Sequence, residues 1–420
     1  MKQPLAISST ACSIVKTLQD ANFETYVVGG AVRDLLLNRT PKDFDISTAA
    51  TPEEIRAVFG RRKARIIGKR FRLVHLYADG DIYEISTFRQ APRDNGNDHR
   101  HGDSAEHLII SDNDYGNAEE DAWRRDFTMN ALFYDPSREE VLDLTGMGLD
   151  DISNQIVRAI GEPKLRFEED PVRMLRALKM VAQFDFTLDN PTENALFDCL
   201  PLLKLVSPSR LTLELEKILK SSFCDRHFEV FHDYGLLPYF LPELSAVWGS
   251  PLQTRLSDLL YERNCRVDAG LYRDSVSLAI AAAALPFVER AFGNAPGELW
   301  NPRTPGCGAI IADTVDNIFK PQNLMVRMRE AACRILSLQP HLENTDNPRR
   351  GEIIQQHAYA HARELMMIRH ANLPDAGNME KAWPRGQDRS RSQNSRPPAK
   401  KRPPKRRFPK RKPEPDWKEE

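Results

Sequence analysis

Residues 26–47 read YVVGGAVRDLLLNRTPKDFDIS, and this stretch constrains the fold more than any other. Tyr26 to Val28 reads as a short apolar strand, Gly29 and Gly30 turn the chain, residues 32–37 read as a helix, and residues 39–42 return it to a second β-rich segment. On that segment Asp43 and Asp45 lie two apart and share a face, while Phe44 and Ile46 turn into a core. Carboxylates so placed can hold two divalent ions. Magnesium suits them because hard cations prefer carboxylate oxygens and leave room for phosphates. Two such ions can activate an attacking hydroxyl and stabilise the leaving oxygen of an in-line phosphoryl displacement. The paired glycines let backbone N–H groups at the start of the next helix approach a triphosphate. An Asp-x-Asp alone is more often a strand end, and a Gly-Gly alone a turn; their combination predicts nucleotidyl transfer.

The order strand, GGAVRDLLL, DFD resembles the DNA polymerase β-like nucleotidyltransferase superfamily, and within it the class that holds bacterial tRNA CCA-adding enzymes and bacterial poly(A) polymerases. The resemblance implies an α+β fold: a polymerase β-like head with a mixed sheet and helices (1–145), an all-α neck with a base-recognition motif (146–220), a helical RNA-binding body (221–376) and a disordered basic tail (377–420). The β/α alternation after residue 50 independently argues for a mixed sheet backed by helices. There, Thr51-Pro52-Glu53-Glu54 supplies a helix cap.

Further motifs extend the resemblance. In IYEISTFR (82–89), Glu84 alternates with Tyr83 and Ile85, so it can face the metals; the strand resembles the family's carrier of a third carboxylate. The implied catalytic and metal set is Asp43, Asp45 and Glu84 with two Mg2+. RRDFTMNAL resembles the family's nucleotide-binding motif, implying ribose or triphosphate contacts from Arg125, Asp126 and Asn130, with Gly29, Gly30 and Arg33 placing the triphosphate of ATP. Residues 169–173, EDPVR, resemble an EDxxR motif in which Asp170 and Arg173 select the incoming base; fixed donors and acceptors can read a Watson–Crick edge in place of a template. Lys69, Arg70 and Arg72 lie in IIGKRFRLVH (66–75), a stretch that resembles the pattern separating poly(A) polymerases from CCA-adding relatives. Beside a triphosphate site such cations can steer anions and contact RNA.

The formal charge of −1 conceals an asymmetry. From residue 381 onward fifteen Lys/Arg face five Asp/Glu, a net of +10, leaving residues 1–380 with 44 against 55, or −11. The tail has too few aliphatics to fold alone. Its cations, Lys400, Lys401, Arg402, Lys405, Arg406 and Arg407 among them, suit RNA by counterion release, with Phe408 able to stack on a base. RNA-decay proteins are candidate partners for the same tail. Six cysteines without CxxC spacing argue against zinc or disulfides and for a reducing compartment. No export signal or membrane span is read, so a cytoplasmic location is expected.

Residues 90–117 are polar and read as a mobile loop over the site; His99, His101, His107, Asp98 and Asp103 there match no recognised metal spacing. The expected strands are 66–75 and 82–88, joined by a turn at 78–81. Expected helices include 11–18, 274–285, 308–319, 323–338 and 352–370. Asp150, Asp151 and Arg158 read as structural, and His232-Asp233 as a buried or capping pair. The implied activity is template-independent addition of AMP from ATP to RNA 3′ ends, promoting RNA turnover. The rivals are CCA addition to tRNA and a non-catalytic RNA-binding protein on the same scaffold.

Overall fold

Alternation along two short strands sets the head. The computed structural model describes residues 2, 4–68, 72–90, 115–272 and 275–385. In it α1 (Ser9–Asp20) leads to β1 (Thr25–Val28), α2 (Gly30–Leu36), β2 (Asp45–Thr48), α3 (Pro52–Phe59), β3 (Ala64–Ile67), β4 (Leu73–Ala78) and β5 (Asp81–Thr87). The head continues with α4 (Ala118–Trp123), β6 (Leu132–Asp135) and β7 (Glu140–Asp143). The seven strands form one mixed sheet in the order β3-β4-β5-β2-β1-β6-β7, with β2 and β5 its parallel pair.

Val27 pairs with Ile46, and Val28 with Asp45. The face of Val27, Ile46, Val74 and Ile85 packs under Ile14, Leu18, Val32 and Ile55 of the first three helices. The other face carries Val28, Phe88 and Phe133 against Ala118 and Ala122 of α4. Each large aliphatic so buried contributes about 1.5–3 kcal/mol. A one-residue slip of β2 would expose Ile46 and drive Asp45 into the core, so packing fixes the register. Thr51 and Glu54 form the expected capping box on α3.

The stretch 66–75 is not one strand. β3 ends at Ile67, which pairs antiparallel with Leu73, and Gly68 turns out of the strand at φ 85. Apolar residues on both arms imitate one continuous strand, and the glycine is the break. Lys69 and Arg70 in this connection lie outside the described residues, as do residues 91–114 with the histidines of the expected loop. The turn between β4 and β5 is as expected, with Asp79 and Gly80 both at positive φ.

Beyond the sheet come α5 (Gly148–Ser153), β8 (Ile156–Val157), α6 (Pro163–Glu169), α7 (Val172–Phe184), β9 (Thr187–Leu188), α8 (Asn190–Cys199), α9 (Pro208–Lys220) and α10 (Cys224–Asp233). The expected all-α neck thus contains a short parallel pair, β8 with β9. Arg158 fixes this region: its Nε reaches Asp151 at 3.0 Å and its Nη1 reaches Asp189 at 2.7 Å, while Thr128 donates to Asp151 at 2.6 Å. Asp151 and Arg158 are structural, as their context suggested.

The rest is helical: α11 (Leu237–Phe240), α12 (Pro242–Ala246), α13 (Pro251–Asp268), α14 (Val276–Ala291), α15 (Cys307–Ile318), α16 (Val326–Leu342), α17 (Arg350–Gln355), α18 (Tyr359–His370) and α19 (Ala376–Ala382). One apolar cluster runs from Phe127 to Trp383. Alanine-rich α14 is buried from Val276 to Glu289 except at Ser277, and among the described residues no helix is long and apolar enough to cross a membrane.

Three expectations are corrected in this region. The helix expected over 352–370 is two, because Gln356 is extended at ψ 141. His232 is half-buried with its ring stacked on Trp248 at 4.6 Å, and Asp233 is exposed, so the pair is neither buried nor a cap. The expected tail boundary at 377 also moves. Trp383 is fully buried and its indole N–H donates to Leu342 O at 2.8 Å, while Arg363 donates to Trp383 O at 2.7 Å. A single large aromatic in a polar stretch anchors the chain through residue 385; the cations from 386 onward, including Lys400 to Arg407, lie outside the described residues. Trp383→Ala is expected to cost about 3–5 kcal/mol in denaturant unfolding, whereas truncation after Arg385 leaves the midpoint unchanged. A loss below about 1 kcal/mol for Trp383→Ala would show that this anchor does not hold the C-terminal helices.

Candidate active site

β1 stops at Gly29, which takes φ 71 and donates its N–H to Leu132 O at 3.0 Å before the chain enters α2 at Gly30. The positive φ favours glycine here, and a Cβ would lie 3.1 Å from Arg125 Nη1, close enough to shift that guanidinium by a few tenths of an ångström. With β1 ending at Val28, β2 can begin only opposite it, at Asp45; Asp43 therefore precedes the strand instead of lying on it. The parallel register Ile46 to Ile85 sets Glu84 beside Asp45 on the open face.

Asp45 reaches solvent yet is crowded by the surrounding protein. That burial, then the charges of Asp43 and Glu84, push its carboxyl up to about 6, against the pull of Arg125. Among the described residues no three His, Cys, Asp or Glu side chains enclose a metal position by themselves. Asp43, Asp45 and Glu84 are electrostatic neighbours, not a closed cage.

Arg125 is held in front of these acids by Asp121, which is fully buried and accepts from Arg125 at 2.9 Å, from Arg124 Nε at 2.9 Å and from the Arg89 N–H at 3.2 Å. Burial alone would raise the Asp121 carboxyl; Arg125 and Arg124 together bring it below the ordinary range. Arg125 also reaches Ser47 Oγ at 3.3 Å and lies over the Phe133 ring at 5.2 Å. Sequence reading missed Asp121 and Ser47; the spacing of Asp121 four residues before Arg125 was the available signal.

Arg33 departs from its expected place at a triphosphate. It is buried, its Nη1 donates to Asn130 Oδ1 at 2.6 Å, its Nη2 pairs with Asp34 at 2.6 Å, and it lies over Phe184 of α7 at 4.6 Å. The α2 helix turns it towards α7, so it orients Asn130, whose amide donates to Asp126 Oδ1 at 3.1 Å. Arg176 stands 3.7 Å from Asp126 Oδ2.

The second motif sits where α6 meets α7. Asp170 accepts from the Val172 N–H at 3.1 Å and from Arg210 at 2.9 and 3.0 Å, and Pro171 is the N-cap of α7. Arg173 donates to Glu169 at 2.8 Å and to Arg166 O at 2.8 Å. Arg166 in turn donates to the carbonyls of Arg124 and Arg125, both at 2.7 Å. Arg166 and Arg210 went unread because their partners are distant in sequence. Arg72, expected at RNA, is paired with Glu53 of α3.

Residues 25–158 match the family described as the poly A polymerase head domain, and residues 185–247 match one described as a probable RNA and SrmB-binding site of polymerase A. The chain is 42% identical to poly(A) polymerase I of Haemophilus influenzae over 58% of its own length and 53% of the relative's. It is 34% identical to poly(A) polymerase I of Escherichia coli O6:H1 over 68% of its length and 62% of that chain. A Geobacillus CCA-adding enzyme is 38% identical over 58% and 56%. The chain thus spans between half and two thirds of the length of these curated relatives. The solved CCA-adding enzyme of Bacillus stearothermophilus in complex with CTP superposes with a TM-score of 0.59 at 26% identity, over 88% of this chain and 80% of that one.

Two outcomes follow from this geometry. Asp45→Asn is expected to stabilise the magnesium-free protein at pH 8 by on the order of 1 kcal/mol, screened by solvent. Because the folded pKa is raised, that gain disappears below about pH 4, where wild-type Asp45 is protonated in both states. A lower melting temperature of the variant at pH 8 would contradict the repulsion. Gly29→Ala should displace Arg125 and lower kcat/KM for nucleotide at least tenfold, and unchanged kinetics would refute the close approach.

Proposed function

Because residues 25–158 carry a poly A polymerase head domain, in a chain related to both bacterial poly(A) polymerases and CCA-adding enzymes, we propose that this protein is a template-independent polynucleotide adenylyltransferase. The observation that carries the reading is the meeting of Asp43, Asp45 and Glu84 with Arg125 at the Gly29 turn. Uncompensated carboxylates open to solvent beside a fixed guanidinium suit a hard cation with a triphosphate. Asp43, Asp45 and Glu84 would hold magnesium, two ions on this reading, which when bound supplies charge neutralisation and activation of a hydroxyl.

The chain's own residues do the rest. The backbone at Gly29 and Gly30 gives close access to the triphosphate, and Arg125 presents its fork to phosphate oxygens. Asp126 and Asn130, oriented by Arg33, take the ribose. Asp170 and Arg173 present polar edges to the adenine, held in place by Arg210 and Arg166. The RNA 3′ oxygen bonds to the α-phosphorus of ATP as the bond to the bridging oxygen breaks; pyrophosphate leaves and the hydroxyl proton passes to solvent. At neutral pH Asp45, titrating near 6, is largely ionised for this task. Cytoplasmic location, RNA 3′ ends as substrates and RNA-decay proteins as partners belong to the same proposal.

The 38% identity to a CCA-adding enzyme keeps that activity as the second reading. Incubation of a 5′-labelled oligonucleotide and of tRNA lacking its CCA end with magnesium and each nucleoside triphosphate separates the two. Long ladders with ATP alone are expected; addition that needs CTP and stops after CCA would establish the second reading. With folding proven, no addition on either RNA would overturn both. Truncation after Arg385, which spares Trp383, is expected to weaken RNA binding and shrink its salt dependence without changing the KM for ATP. Unaltered RNA affinity would remove the tail from the proposal.

A further inference from the structure

The sheet face that carries the carboxylates does not end at Glu84. Glu84 of β5 is in register with His75 of β4, and His75 with Arg65 of β3. Neighbouring strands lie about 4.8 Å apart, so Asp45, Glu84, His75 and Arg65 form one row about 14 Å long. His75 Nε2 stands 3.9 Å from Glu84 Oε2. One step along the strands Tyr77 pairs with Ile82, and the Arg65 guanidinium lies over the Tyr77 ring at 5.1 Å.

Among the described residues this part of the sheet is covered on one face only. Val74, Leu76, Tyr83 and Ile85 are buried beneath the helices, whereas Ile82, Ile67 and Tyr77 on the other face are 56%, 40% and 37% exposed, with Arg65 also open. A solvated sheet face ordinarily carries small or charged polar residues. Here the described residues leave aromatic, aliphatic and cationic side chains open to water, with Glu84 at the catalytic end. Aromatic and guanidinium planes stack on bases, and cations take phosphates, which is how open sheets hold single strands.

We propose that this face of β3, β4 and β5 is the platform for the last two or three nucleotides of single-stranded RNA, running from Arg65 and Tyr77 across His75 to deliver the 3′ hydroxyl beside Glu84. Continuity with the carboxylate row selects the occupant: whatever lies on Tyr77 and His75 ends at the metal-binding acids. Arg65 supplies a cation for phosphate at the outer end of the row. The inference rests on the adenylyltransferase reading and adds the track by which the acceptor reaches it.

Tyr77→Ala combined with Arg65→Ala tests it in the full chain, since both side chains reach the surface. Anisotropy of 5′-fluorescein-labelled A12 RNA without ATP, and steady-state kinetics varying RNA and ATP separately, give the readouts. The dissociation constant and the KM for RNA are expected to rise about tenfold, with the KM for ATP within twofold. Tyr77→Phe should retain wild-type affinity, and a photo-crosslinker replacing Ile82 should label the three 3′-terminal nucleotides. Unchanged RNA affinity in a variant of normal stability, or crosslinks only to protein or to the 5′ half of the RNA, would overturn the platform while leaving the adenylyltransferase intact. A wild-type protein that neither binds nor extends RNA would overturn both.

Discussion

The burial of Asp45, reinforced by the charges of Asp43 and Glu84, is the cost that the head must contain. Arg125 lowers the Asp45 pKa, against burial and two acids that raise it. The strands cannot relax by slipping, because Val27, Ile46 and Ile85 lock the register from the opposite face. Arg125 cannot drift, because Asp121 grips it from a fully buried position. The hydrophobic core thus holds an electrostatic strain in place, and cations with a triphosphate are what would relieve it.

The same logic ties the head to the neck. Arg166 hangs α6 from the carbonyls on either side of the Arg124–Arg125 peptide, Arg33 reaches from α2 to Phe184 of α7, and Arg210 of α9 holds Asp170. Each contact fixes a residue of the proposed nucleotide pocket; Arg33 and Arg166 are largely withdrawn from water, whereas Arg210 stays 35% exposed. Base selection and phosphate binding are consequently positioned by one network, although their residues come from motifs about forty positions apart.

Local chemistry was what the sequence disclosed. Gly29, the Asp45–Glu84 face and the Thr51 capping box could be read because each depends on its neighbours within a turn or strand. Asp43 was placed on the strand because period-two spacing carries no information about where the partner strand ends; that is set by Gly29 bonding to Leu132. Arg33 was assigned to phosphate because its rotation towards α7 depends on Phe184, 151 positions away. Arg166, Arg210 and Trp383 were invisible for the same reason: each acts through carbonyls or carboxylates that only the assembled fold brings near.

The most direct measurement is the titration of Asp45 itself, by carbon-13 NMR of aspartate-labelled protein with the signal assigned through Asp45→Asn. In magnesium-free protein its carboxyl should titrate near 6, and magnesium with a non-hydrolysable ATP analogue should drive it below the ordinary carboxylate range. A pKa near 4 without magnesium, unmoved by adding it, would mean that Asp45 is neither strained by burial and its acidic neighbours nor receives a cation, and the proposed centre would be lost.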